Sequence, residues 1–149
     1  VSEPLNESGA MSSLIDRLMK NYDYLVVDNE AGMEHFSRLT QKDVDLLLLV
    51  SDPSRRGLTA ACRIMDLVKS LPIRINQTAL VVNQLQAEPT SWPQDVLDTF
   101  NKDQITILPA DPLLAQFDME GKPTSMLPAD APIVKAADTL FARLLAKGK

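Results

Sequence analysis

A mostly parallel α/β sheet with helices on both faces is the fold class this sequence predicts, and three observations carry it. Short apolar runs at Tyr24 to Asp28, Leu46 to Ser51, Thr78 to Asn83 and Gln104 to Leu108 are separated by stretches of helical periodicity. The runs show little in-out alternation, as expected of strands buried on both faces. The ten prolines cluster at strand ends and connections rather than inside these segments.

Taken in order, Met11, Leu14, Ile15, Leu18 and Met19 recur at helical spacing, with Ser8, Ser12 or Ser13 as candidate caps. The first strand follows at Tyr24 to Asp28, and Asn29 to Thr40 reads as a loop or broken helix. After the strand at Leu46 to Ser51, Ser54 is placed to cap a helix whose stripe is Leu58, Ala61, Cys62, Met65 and Val68. Pro72 marks its end. Thr78 to Asn83 is the third strand, Trp92 to Phe100 a short helix and Gln104 to Leu108 the fourth strand. The break Pro109-Ala110-Asp111-Pro112 opens a two-turn helix ending near Glu120-Gly121. Beyond the proline-rich stretch Pro123 to Pro132, a long helix buries Ile133, Val134, Ala137, Leu140, Phe141, Leu144 and Leu145. No internal repeat, low-complexity tract or second domain is visible.

At 149 residues, 45% hydrophobic and 23% charged, the chain has the length and composition of one α/β domain with a sizeable core. Its net charge of -5 argues against a dedicated nucleic-acid binder, which replaces counterions with a basic face. Cys62, the single cysteine, forms no internal disulfide and belongs to no paired-cysteine metal motif, so a reduced, cytoplasmic setting is expected. No apolar run is long enough for a transmembrane helix, and the N-terminal residues do not read as a signal peptide. No nucleophile elbow, G-x-G-x-x-G loop or second histidine points to another hydrolytic or dinucleotide chemistry.

The loop Val26-Val27-Asp28-Asn29-Glu30-Ala31-Gly32-Met33-Glu34-His35 carries the most chemistry. A carboxylate at the end of a buried strand can hold a metal-bound water, and a glycine four residues on lets a backbone N–H approach a terminal phosphate. A strand-ending turn explains the same residue types without a ligand. Glu30 and Glu34 read as candidate water polarisers or solvated carboxylates, His35 as a surface or loop histidine, and Cys62 as inert core. Ser51-Asp52-Pro53-Ser54-Arg55-Arg56-Gly57 opens a helix whose N-terminus suits an anion, although capping alone accounts for Ser54. Asn83 and the turn Pro109 to Asp111, at successive strand ends, can line a nucleobase slot.

These segments fall in a familiar order. YDYLVVDNEAG, DVDLLLLVSDPSRRGLTAACRIMDLV, ALVVNQL and ILPADPLLAQFDMEGKPTSMLPADAPIVKAA together resemble the C-terminal half of MinD/ParA-type deviant-Walker ATPases, from about Asn21 to Leu145. The spellings VVDNEAGMEH and SDPSRRGL are most similar to the CooC-type accessory ATPases, which assist nickel insertion into carbon monoxide dehydrogenase.

The resemblance implies a partial P-loop NTPase fold of the SIMIBI type. It makes Asp28 the Walker B aspartate that engages Mg²⁺ through water, Gly32 the switch II sensor of the terminal phosphate, and Asn83 with Pro109, Ala110 and Asp111 the adenine side. It also implies ATP or ADP as cofactor, a homodimer, nickel handling in a longer parent and a carbon monoxide dehydrogenase client, with no nucleic acid or membrane partner. The glycine-rich phosphate loop, its lysine and the paired-cysteine motif are absent from the 149 residues and are expected upstream.

Without the phosphate loop, Mg·ATP should bind poorly to this chain alone. In the implied fold the phosphate-loop strand lies between the first two strands here. Its absence leaves two buried edges, expected to close by direct pairing, strand exchange or self-association. Two competing readings are a non-catalytic interaction module on the same scaffold and a cell-positioning ATPase of the MinD/ParA type.

Overall fold

A computed structural model describes residues 7–28 and 43–146. Three strands, β1 (Asp43–Ser51), β2 (Arg74–Leu85) and β3 (Ile105–Pro109), form one parallel sheet in the order β1-β2-β3. Helix α1 (Glu7–Met19) precedes them, and α2 (Arg55–Ser70) links β1 to β2. The short α3 (Gln94–Thr99) lies between β2 and β3, and α4 (Pro112–Met119) and α5 (Pro132–Leu145) follow.

Side-chain alternation along the strands divides the core into two layers. On one face Leu47, Leu49, Leu80 and Val82 pack with Leu58, Ala61, Cys62 and Val68 of α2, and with Val96 and Phe100 beside them. On the other, Ala79 and Val81 pack with Leu140 and Leu144 of α5, flanked by Leu46, Leu48 and Leu108. The central strand β2 therefore has helices on both faces, as its unbroken apolar run requires. Leu80, Val81, Val82, Val96 and Phe100 are almost wholly buried. Burying each large apolar side chain contributes about 1.5–3 kcal/mol.

Local sequence chemistry sets several boundaries. The Ser54 side chain accepts from the Gly57 N–H, starting α2 where the sequence places its cap. Helix α3 begins after Pro93 instead of at Trp92, because the residue before a proline is pushed out of helical geometry. Gly121, at φ 65°, takes the left-handed turn that ends α4, with the Lys122 N–H donating to the Phe117 carbonyl at 2.8 Å.

Four expectations are corrected. Residues 24–28 are not a strand: they lie outside the sheet and are exposed, Val26 to 88%. An extended run becomes a strand only beside a neighbour that takes its backbone hydrogen bonds, and no ladder of the described sheet includes it. The gap is therefore not closed by direct pairing within the described chain, and β1 stands at the sheet's edge. Ser8, Ser12 and Ser13 all lie within α1, whose first residue is Glu7, so none of them is the residue that precedes and caps it. Finally, Phe141 and Leu145 of α5 are exposed to 44% and 40%, because the stripe of Ile133, Leu140 and Leu144 faces the core and the wider apolar arc does not.

Candidate functional site

The parallel ladder brings three connections to the same end of the sheet, where α/β folds bind ligands. Ser51 ends β1 opposite Val82, and Leu85 pairs with Pro109. Ser51-Asp52, Asn83-Gln84 and Pro109 to Asp111 thus occupy the carboxyl ends of adjacent strands.

The first connection is tightly made. The Ser51 hydroxyl, in a nearly buried side chain, donates to the Asp52 carbonyl at 2.8 Å, and the Ser54 N–H donates to Asp52 Oδ1 at 2.7 Å. Hydrogen bonding from Ser54, from its side chain first and its backbone N–H second, holds the Asp52 carboxyl below its ordinary range. A Cβ added at Gly57 would lie 2.6 Å from Asp52 Oδ1 and 2.7 Å from Ser51 Oγ, so the turn and the helix meet only over glycine. The α2 N-terminus is also anchored sideways. Arg55 Nη1 donates to Asp95 Oδ1 of α3 at 2.6 Å, which holds the Asp95 carboxyl low and raises the arginine. Arg56 and Arg63 carry no ion pair among the described residues, and they line a groove of about 870 Å³ with Val50, Ser51, Asp52 and Thr59.

At the second connection the β2–β3 register shifts between Val82 and Leu85. Gln84 sits at φ 59°, uncommon for a residue with a Cβ, and its N–H donates to Asn83 Oδ1 at 2.9 Å. Asn83 is half-buried beside this irregularity, and its Nδ2 has no hydrogen-bond partner among the described residues. The sequence marks Asn83 by position but gives no sign of the kink beside it.

The third connection is fixed by Asp111, which is buried. One carboxylate oxygen accepts from the Leu113 N–H at 2.9 Å, capping α4, and the other accepts from the Ile133 N–H at 3.2 Å at the start of α5. The Ala110 N–H donates to the Leu85 carbonyl at 3.0 Å, clasping this turn to the end of β2. Asn83, Pro109, Ala110 and Asp111 are thereby gathered into one neighbourhood.

The other sequence-assigned residues are not gathered there. Asp28 is exposed on a segment off the sheet, and Gly32, Glu30, Glu34 and His35 lie outside the described residues. Cys62 is buried, with Sγ 3.7 Å from the Asp95 carbonyl oxygen, in keeping with a packing role. Among the described residues no three His, Cys, Asp or Glu side chains converge as a metal-binding group. No helix there is long and apolar enough to cross a membrane. Sequence reasoning missed Asp95, whose only signal is its acidic charge in the first turn of a short helix.

No protein-family model matches the chain. An uncharacterized ATP-binding protein of Methanocaldococcus jannaschii is 30% identical over 141 residues, which is 92% of this chain and 54% of that protein. The carbon monoxide dehydrogenase accessory protein CooC of Rhodospirillum rubrum is 42% identical over 57 residues, 38% of this chain and 22% of CooC. The septum site-determining protein MinD of Synechocystis is 28% identical over 121 residues, 78% of this chain and 45% of MinD. Among solved structures, the Aquifex aeolicus cell division protein MinD superposes with a TM-score of 0.72 at 23% identity, covering 96% of this chain and 61% of that one. The sheet and its helices match the MinD-like P-loop NTPase fold. The chain spans about half the length of the curated relatives that it matches over most of its own.

Proposed function

We propose that this chain, whose homologues are MinD/ParA-type ATP-binding proteins, is the C-terminal part of an ATPase that assists nickel insertion into carbon monoxide dehydrogenase. The observation that supports the nickel role is the 42% identity to CooC, a higher identity than the M. jannaschii and MinD relatives show, although over a shorter stretch. A MinD-like cell-positioning role is the second reading, favoured by a MinD match that runs over 78% of the chain.

The neighbourhood at the sheet end fits a nucleobase. Asn83 Nδ2, which has no hydrogen-bond partner among the described residues, would be the donor to an adenine ring nitrogen, and Pro109, Ala110 and Asp111 at the neighbouring strand end would flank the base, with their turn fixed by two backbone N–H bonds to the Asp111 carboxylate. Asp28 is the residue that would hold a nucleotide's Mg²⁺ through water, and Gly32 the one that would sense the terminal phosphate. A bound Mg²⁺ supplies charge neutralisation for phosphoryl transfer. These residues leave the phosphates without an amide cradle or lysine, and transfer depends on both positioning and charge stabilisation. The chain is therefore expected to contribute base recognition and switch residues to a dimeric parent, with the phosphate loop supplied upstream.

Two measurements test this. Calorimetry of the chain with Mg·ATP is expected to show no binding, and tight Mg²⁺-dependent binding would overturn the division of labour. Disrupting the parent gene in a host that makes carbon monoxide dehydrogenase is expected to lower nickel occupancy of that enzyme. Full occupancy with misplaced division septa would favour the MinD-like role.

A further inference from the structure

The β3 edge of the sheet combines an open strand with two uncompensated charges. Strand β3 pairs with β2 on one side, and no ladder of the described residues runs on its other side, where Ile105 to Pro109 are half-buried. Every hydrogen bond and ion pair that β3, Lys135, Thr139 and Arg143 make is with another described residue. Helix α5 runs beside β3 in the opposite direction. The Ile133 N–H at its start donates to Asp111, just past the end of β3, and Arg143 Nη2 near its end donates to Thr106 Oγ1 near the start of β3. Its exposed residues Lys135, Thr139 and Arg143 form one helical stripe, which with Thr106 and Ile107 lines a groove of about 330 Å³ along that edge. No carboxylate lines the groove, and neither Lys135 nor Arg143 has an ion pair among the described residues. In a chain of net charge -5 this rim is a local basic exception.

We propose that this edge docks an extended acidic segment of a partner protein, which adds to β3 as a strand and sets two of its carboxylates against Lys135 and Arg143. The spacing selects that occupant. From Lys135 to Arg143 the helix rises about 12 Å, at about 1.5 Å per residue. Residues four apart on an added strand point to the same side and are separated by about 13 Å. Acidic residues at every fourth position of an extended segment therefore reach both cations at once. The segment's backbone takes up the unpaired N–H and C=O groups of the β3 edge and supplies the affinity, while the two charge pairs fix its register and direction. A second copy of this chain is a poor occupant, because antiparallel pairing of two β3 edges brings both copies' Lys135 and Arg143 to one rim. The docking rests on the sheet edge and α5 alone, so it stands or falls independently of the proposed ATPase role.

The test is fluorescence anisotropy with a labelled, capped peptide, Thr-Val-Glu-Val-Thr-Val-Glu-Val-Thr, whose two glutamates share one side of a strand, and with its counterpart carrying lysine for glutamate. Saturable binding of the glutamate peptide alone is expected, and no binding up to about 1 mM overturns the proposal. Lys135→Glu with Arg143→Glu is expected to raise the dissociation constant at least tenfold, with the circular dichroism spectrum unchanged because both side chains are exposed, and to give binding to the lysine peptide. Affinity that survives the double change overturns the assigned contacts. A peptide of the same composition with its glutamates adjacent is expected to bind more weakly, and equal affinity would reduce the docking to unspecific charge attraction. N-methylation of alternate peptide amides, made in both registers, is expected to abolish binding in one of them, and binding by both overturns strand addition. A dimer of the unliganded chain by light scattering, dissociated by the peptide, would make a second copy the occupant and equally overturn the proposal.

Discussion

Asp111 and Gly57 show what single residues contribute to the end of the sheet. Asp111 satisfies two backbone N–H groups that are 20 residues apart, one opening α4 and one opening α5. Asp111→Ala removes a helix cap and strands the buried-side Ile133 N–H. Losses of about 0.5–2 kcal/mol for the cap and about 1–3 kcal/mol for the unsatisfied donor place the combined cost near 2–4 kcal/mol. Urea unfolding checks this, and Asp111→Asn should retain part of the loss-free state by keeping one acceptor oxygen. Gly57→Ala forces a Cβ against Ser51 Oγ and Asp52 Oδ1 and should cost about 1–2 kcal/mol by the same measurement, the range of a local overpacking. The sequence makes half of this visible. Ser54 is legible as a cap because its bond to Gly57 is three residues away, whereas the Asp111 bond to Ile133 spans 22 residues and leaves no local pattern. Gln84's left-handed backbone is likewise invisible, since nothing in Asn83-Gln84 spells a turn as glycine would.

Helices α2 and α3 are joined by the Arg55–Asp95 pair at 2.6 Å, and this contact gives the element scale its pH dependence. Arg55 holds the Asp95 carboxyl below its unfolded value, so the stabilisation is present above the ordinary carboxylate range and is lost as the pH falls through the depressed folded value. Melting temperatures measured from pH 7 down to pH 2.5 should show Asp95→Asn less stable than the parent at neutral pH and the difference shrinking below about pH 4. Raised salt should shrink it at pH 7 as well, because both side chains are exposed to solvent. The elements themselves differed in how well the sequence announced them. The later three strands and the helices α2, α4 and α5 follow from periodicity, capping and proline breaks, each a property of the segment itself. The apolar run at Tyr24 to Asp28 satisfies the same criteria and is no strand, because pairing is a property of two segments and the run's own composition does not name its neighbour. Asp28 is therefore readable as the acidic end of an extended run, while its relation to Asn83 and Asp111 is not.

Stability across the whole molecule is unequal. Strand β2 is hydrogen-bonded on both sides and buried on both faces, with Ala79, Leu80 and Val82 fully enclosed, so its amides exchange only when the sheet opens. Residues 23–26 lie on exposed chain outside the described sheet, where local fluctuation is enough for exchange. Hydrogen exchange in low urea separates the two regimes. Exchange at residues 79–82 should speed up with urea in step with global unfolding, because it requires loss of both ladders, while exchange at residues 23–26 should be fast and insensitive to urea. Urea-insensitive exchange at residues 79–82 would mean that the sheet opens locally, and that burial on both faces does not make β2 the most stable part of the molecule.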